Sequence, residues 1–159
     1  MDGARSARGR GHALWLGILL VAFLVRVGIQ LLQSIAPTDA LPPFEAWQSG
    51  TIPYWSLLVS QAAIIAFTLW AIAGFASGAM KPNALLGRII NWIGIVYFVG
   101  AVARFIAGLT VAQGVPFLSA HLPGFFHIVL ASMVLIAGDY FRAGAPLFPK
   151  RLPKRRAGQ

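Results

Sequence analysis

Four stretches of the chain are each apolar over more than the roughly 18 residues that a helix needs to cross the ~30 Å hydrocarbon layer of a bilayer. They lie at residues 13–36, 53–79, 84–112 and 123–141. Of the 159 residues, 58% are hydrophobic and 11% are charged, whereas about a quarter of the residues of a soluble domain are charged. A soluble fold of this length could not bury four such helices on every side. The sequence therefore predicts an all-α integral membrane protein, with four transmembrane helices in an antiparallel bundle.

The positive charges predict the orientation of these helices. Of the 13 Lys and Arg residues, three lie in a head at 1–12, two in the 79–88 loop and six in a tail at 142–159, while the segments 37–53 and 113–122 hold none. Cytoplasmic loops of membrane proteins carry an excess of Lys and Arg. We therefore expect both termini on the cytoplasmic side of a bacterial-type inner membrane.

The same charge pattern predicts the domain organisation. A basic cytoplasmic head precedes one transmembrane domain over 13–141, in which 37–53 forms an outer loop. The tail is basic and interrupted by proline, so we expect it to be largely disordered. A cleaved signal peptide is the main alternative for the first helix. The apolar stretch is too long for a signal sequence and contains strongly polar side chains, which favours a retained helix.

Composition excludes several kinds of chemistry. The chain has no cysteine, which excludes disulfides, thiolate catalysis and Cys-ligated metal centres. The net charge of +9 is compatible with nucleic-acid binding, but the cations lie where membrane topology would place them, so we expect no nucleic-acid partner. No nucleotide-binding loop, HExxH motif or nucleophile with a base at workable spacing is present. We expect no cofactor and no metal.

Polar residues within the helices mark the candidate site, because each must find a partner away from lipid. An arginine at mid-membrane costs roughly 2.5–3.5 kcal/mol on insertion scales. The spacing of Arg26, Gln30 and Gln33 places all three on one face of the first helix. At comparable depth, the other helices contribute Gln61, Arg104 and His127. We expect an inward-facing cluster in the outer half of the bundle, with Glu45 or Asp39 folded down as counter-ions.

This cluster has more than one interpretation. It either hydrogen-bonds the helices to one another and to the outer loop, or forms a pocket for an anionic or carbonyl-bearing head group. A third interpretation is that the arginines reach the interface along their own stems. Haem or pigment ligation by His127 would need a second ligand from a partner chain, because His121 lies off the same helical face. His121, His127 and Glu45 could bind a metal, but their spacing in the sequence does not require it.

Small residues predict where helices approach closely. Gly74 and Gly78 form a GxxxG pattern on the second helix, and Gly100 and Gly108 lie on the third. We expect these glycines to pack helices within the chain, with a homodimer through Gly74 and Gly78 as a further option. Near the end of the fourth helix, the spacing of Asp139 and Arg142 predicts an ion pair.

The leading functional hypothesis is a small non-enzymatic accessory or assembly subunit of a larger membrane complex, with lipids and other membrane subunits as partners. The alternative is a binding protein or carrier for a lipid, quinone or small anion. Its ligand would contact the polar cluster described above, namely Arg26, Gln30, Gln61, Arg104, His127 and Glu45. A third hypothesis, a membrane enzyme, would use His127 and Glu45 as base and acid.

Overall fold

Over the residues that the structure describes, the fold is all-helical and includes four helices long and apolar enough to cross a bilayer. The computed structural model describes residues 2–47, 52–110, 118 and 120–143, and their side chains from residue 8 to residue 142. The basic tail from residue 144 and most of the 113–122 link, for which the predictions are given above, lie outside the described residues. The helices are α1 (Asp2–Ile35), α2 (Tyr54–Ser77), α3 (Ala84–Leu109) and α4 (His121–Ala143), and a 3-10 turn spans Phe44–Trp47.

Two helices begin earlier than their apolar stretches. Helix α1 starts at Asp2, because the head contains no proline and its Ala and Arg residues favour helix. Helix α4 starts at His121, two residues before Pro123. A proline is tolerated in the first turn, where its missing N–H would have no partner within the helix.

The turn between α2 and α3 is built from end-capping residues. Gly78 follows α2 in a left-handed conformation, with φ of 71°, and its N–H bonds the carbonyl of Phe75 at 3.3 Å. Only glycine adopts this conformation without steric cost. The side chain of Asn83 accepts hydrogen bonds from the N–H groups of Leu85 and Leu86, the second and third residues of α3, at 3.0 and 3.1 Å. Gly78 therefore ends a helix, which corrects its predicted role in helix packing.

The helices pack in the order α2, α1, α4, α3, and the contact between α3 and α4 is the most extensive. The buried apolar core comes from α1, α2 and α4, and includes Leu16, Phe23, Phe75 and Met133. At one end of this core the ring of Tyr140 stacks on Phe75, with 3.7 Å between ring centroids. No described residue of α3 belongs to this cluster.

Glycines hold α3 against α4 instead. A Cβ on Gly87 would meet the backbone of Phe141 and Arg142, and a Cβ on Gly94 would lie 2.8 Å from the side chain of Leu135. The two backbones thus approach as closely as small-residue packing allows. Gly100 has open space around its Cβ position, so it packs no helix within the described part of the chain, contrary to its prediction.

Two other glycines were also predicted to pack helices. Gly74 is buried, but its partner is the side chain of Met80, which folds back over it after the α2–α3 turn. Gly108 is buried near the end of α3. The close-approach surface at Gly74 is therefore already covered by Met80 of the same chain.

Candidate functional site

The polar face of α1 is buried, as its spacing indicates. Arg26, Gln30 and Gln33 are 6%, 0% and 3% exposed. They lie in the part of α1 nearest the connection to α2, which we call the α1–α2 loop end of the molecule. Three strongly polar side chains with so little exposure need partners within the protein, and each of them obtains a different one.

Arg26 binds a backbone carbonyl. Its Nη2 donates to the carbonyl oxygen of Trp47 at 2.8 Å, and its guanidinium carbon lies 5.4 Å from the centroid of the Phe126 ring. Trp47 ends the 3-10 turn, and the carbonyls at the end of a helical turn carry partial negative charge. The predicted carboxylate counter-ion is wrong: Glu45 and Asp39 are exposed, and the described ion pairs do not include Arg26.

Gln33 fixes the loop that carries this carbonyl. Its Nε2 lies 3.1, 3.2 and 2.8 Å from the carbonyl oxygens of Thr38, Leu41 and Pro42, and its Oε1 accepts from the N–H of Thr38 at 2.8 Å. The indole N–H of Trp47 donates to the same Pro42 carbonyl at 3.0 Å. One buried amide thus folds the loop over the end of α1 and positions the backbone that Arg26 contacts.

Gln30 joins α1 to α2. Its Oε1 accepts from Nε2 of Gln61 at 3.1 Å, which brings together two of the residues predicted for the site. The pair leaves Nε2 of Gln30 and Oε1 of Gln61 buried without a hydrogen-bond partner, and the same holds for Nε of Arg26 and the hydroxyl of Tyr54. Buried polar groups are rarely left unpaired in native proteins. Four such atoms on α1 and α2 at the α1–α2 loop end therefore require an explanation.

A second polar group lies between α3 and α4. The hydroxyl of Tyr97 is 2.7 Å from Nδ1 of His127, and Arg104 interacts electrostatically with both side chains. Arg26 also acts on His127, as it does on Tyr54. The guanidinium groups of Arg26 on α1 and Arg104 on α3 therefore both act on the imidazole of His127 on α4.

Several predicted contributors lie elsewhere. Glu45 is exposed, and the partner of His127 is Tyr97, so the described contacts do not pair His127 with Glu45 as base and acid. His121 is exposed and its ring packs edge-on against Phe105, with 6.5 Å between centroids.

Sequence reasoning missed the aromatic members of the site. Aromatic side chains at the ends of apolar stretches or within them are common in membrane helices, so the sequence pattern gives Trp47, Tyr54 and Phe126 no role in the site. The described residues contain no group of three or more His, Asp or Glu side chains that could hold a metal ion. The expectation of no cofactor, with haem or pigment ligation by His127 only where a partner chain supplies the second ligand, stays a prediction.

Comparison with known proteins finds no matching family model, curated protein or solved structure. What the site can do must therefore be argued from its own chemistry. The described part of the site offers two cations, Arg26 and Arg104, and Arg26 is 6% exposed. It also offers unpaired N–H donors from Arg26 and Gln30 and an unpaired acceptor from Gln61. This set of groups suits a ligand that carries negative charge or a strong hydrogen-bond acceptor.

Proposed function

We propose that this protein spans the inner membrane as an antiparallel four-helix bundle with both termini in the cytoplasm, and that it binds the head group of a lipid, a quinone or a small anion. The orientation is supported by the cation-free segments 37–53 and 113–122. The antiparallel arrangement is supported by the paired contacts of successive helices. Gly87 at the start of α3 meets the end of α4, while Gly124 near the start of α4 meets Phe105 near the end of α3.

One observation carries the ligand proposal: Arg26 is buried without a carboxylate and retains an unpaired Nε–H, and Gln30, four residues along the same face of α1, retains an unpaired Nε2–H. A buried unsatisfied group costs about 1–3 kcal/mol, and more when charged. A phosphate or carbonyl oxygen that accepts from Nε of Arg26 and Nε2 of Gln30 would satisfy both donors. The positive field of Arg104 at His127 would favour the same negatively charged atoms.

The test replaces Arg26 with glutamine, which removes the charge and leaves a neutral amide with N–H donors. We expect Arg26→Gln to lose roughly 10- to 100-fold in ligand affinity, the range for a hydrogen bond to a charged group. The measurement is native mass spectrometry of lipids and quinones that remain bound after gentle detergent extraction. Arg104→Gln should weaken retention less, because Arg104 is less buried than Arg26.

Arg88→Gln is the matched control, since Arg88 is an exposed cation at the opposite end of α3. It should leave the retained molecules unchanged. Unchanged retention in a folded Arg26→Gln protein would refute the ligand proposal. If the variant failed to insert or unfolded, while no bound molecule had been found in the wild type, Arg26 would instead be a structural link between α1 and the loop.

A second candidate function is an accessory or assembly subunit of a larger membrane complex. The observation that favours it is the packing order, in which α2 and α3 flank the other helices and expose apolar faces that include Trp70, Trp92 and the open surface at Gly100. A homodimer through Gly74 would require Met80 to move away from that glycine.

The subunit proposal predicts a partner chain at fixed stoichiometry. Extraction in a mild detergent followed by native mass spectrometry should recover this chain together with at least one other membrane protein. Substituting Gly100 with leucine should weaken that association, because the added side chain would fill a surface open to a neighbouring helix. Recovery of a clean monomer from several mild detergents would contradict this proposal.

A further inference from the structure

A cleft of about 580 Å³ opens between α1 and α4 at the end of the molecule opposite the α1–α2 loop. It is unrelated to the polar region around Arg26. The residues that line it and matter for its chemistry are Arg8, His12, Trp15, Leu135, Ile136 and Asp139. The cleft therefore combines a cation, a carboxylate and an apolar wall, between the N-terminal part of α1 and the last turns of α4, two helices that are apolar enough to span a bilayer.

His12 positions the carboxylate. Its Nε2 lies 3.0 Å from Oδ2 of Asp139, and its Nδ1 lies 2.9 Å from the backbone carbonyl of Arg8. The predicted ion pair between Asp139 and Arg142 is present, with 3.5 Å between Nη2 of Arg142 and Oδ1 of Asp139. A carboxylate has about four acceptor positions, and the side chain of Asp139 is 49% exposed. It therefore has acceptor capacity left for a ligand cation.

The polar and apolar residues of the cleft are ordered along the helix axis. Arg8 and Asp139 lie nearest the helix ends, whereas Trp15 lies about 10 Å deeper along α1 and Leu135 about 6 Å deeper along α4 at 1.5 Å per residue. Trp15 is 60% exposed. A phospholipid in a bilayer has the same order, with its charged head group at the surface and its acyl chains below.

We propose that this cleft binds an aminophospholipid, with Arg8 on the phosphate and Asp139 on the primary ammonium of a phosphoethanolamine head group. Arginine presents a planar set of donors that suits a phosphate. The carboxylate disfavours a purely anionic head group, because Asp139 would repel it. A choline head group has no N–H donor for Asp139. The acyl chains of the lipid then lie along Trp15 and Leu135.

The test offers the purified full-length protein equal amounts of phosphatidylethanolamine, phosphatidylcholine and phosphatidylglycerol with identical acyl chains. Native mass spectrometry should show the ethanolamine lipid retained roughly three- to tenfold over each of the others, as expected for one charge-assisted contact at a partly exposed site. Asp139→Asn, which keeps an oxygen acceptor for His12, should abolish this preference. Arg8→Gln should lower retention of all three lipids, and Arg88→Gln should change nothing.

Other outcomes would overturn the proposal. These are equal retention of the three lipids by the wild type, or an ethanolamine preference that survives Asp139→Asn. Soluble phosphoethanolamine should not displace the lipid at equal concentration, because it lacks chains to contact Trp15; equal displacement would overturn the assignment to a lipid. If Asp139→Asn does not fold, the proposal is decided by comparing the lipid retention of Arg8→Gln with that of Arg88→Gln. Failure of the Arg26 experiment would leave these results unaffected, because the two regions share no residue.

Discussion

Replacing Gly87 with alanine should destabilise the folded protein, whereas the same replacement at Gly100 should stabilise it slightly. A Cβ on Gly87 would lie 2.8 Å from the carbonyl carbon of Phe141 and 2.9 Å from Cα of Arg142. Backbone atoms cannot rotate away as a side chain can, so α3 and α4 would have to separate. Overpacking of this kind costs about 1–3 kcal/mol.

Gly100 is the matched control because it lies on the same helix and has nothing within 4 Å of its Cβ position. Alanine is favoured over glycine in a helix by about 0.5–1 kcal/mol, so Gly100→Ala should raise the free energy of unfolding. Gly94→Ala should fall between the two, since its nearest neighbour is the movable end of Leu135 at 2.8 Å.

The measurement is the free energy of unfolding in mixed micelles, followed by circular dichroism as a denaturing detergent is added. The expected order of stability is Gly87→Ala lowest, then Gly94→Ala, then Gly100→Ala. Equal stabilities for Gly87→Ala and Gly100→Ala would show that α3 and α4 do not pack through this glycine. The glycine packing of α3 described above would then be incorrect.

The helical architecture could be predicted from sequence because the bilayer leaves few choices. Backbone groups without water must bond within a helix, so four long apolar stretches are enough to predict four spanning helices, and the structure contains four of that kind. The buried polar face of α1 was also predictable. Arg26, Gln30 and Gln33 follow the helical period and share one face. Because an arginine that faces lipid is costly, this face is expected to be buried against the rest of the protein.

The partners of these residues were not predictable, because they depend on backbone direction. The sequence shows two carboxylates in the loop, Asp39 and Glu45, so it predicted that one of them pairs with Arg26. The 3-10 turn instead presents the carbonyl of Trp47, two residues later. A side-chain pattern gives the residue types within reach and not the direction of a carbonyl in a short irregular segment.

The same limit applies to the glycines and to His12. A GxxxG pattern does not show whether a glycine packs a helix or ends one, and Gly78 ends α2. His12 was treated as part of a polar head, whereas α1 extends through that head and brings the imidazole to Asp139, 127 positions away. Contacts over such separations depend on which faces of the helices pack together, and a local sequence pattern does not show this.

Replacing Gln33 with alanine should release the loop that covers the α1–α2 loop end. The substitution removes the amide that bonds Thr38, Leu41 and Pro42. Its two N–H groups and its oxygen make about three hydrogen bonds at a time, so at about 0.5–1.5 kcal/mol net for each bond the loop should lose about 1.5–4.5 kcal/mol of local stability. Hydrogen exchange of the amides of residues 38–47 should accelerate accordingly, while exchange in the middle of α1 should stay slow. Ser34→Ala is the control, because Ser34 is exposed and bonds only Leu31 of its own helix.

Gln33 also offers a way to separate the two interpretations of the site. Its described hydrogen bonds all go to the loop and not to Arg26, Gln30 or Gln61, and they fix the loop whose Trp47 carbonyl holds Arg26. If the region binds a ligand, Gln33→Ala should reduce ligand retention by increasing its dissociation rate, and Ser34→Ala should not. If the polar residues only hold the loop to the helices, Gln33→Ala and Arg26→Gln should release the same loop amides with no change in bound molecules. Hydrogen exchange and native mass spectrometry on the same four proteins, including the wild type, therefore distinguish a covered binding site from a structural clamp.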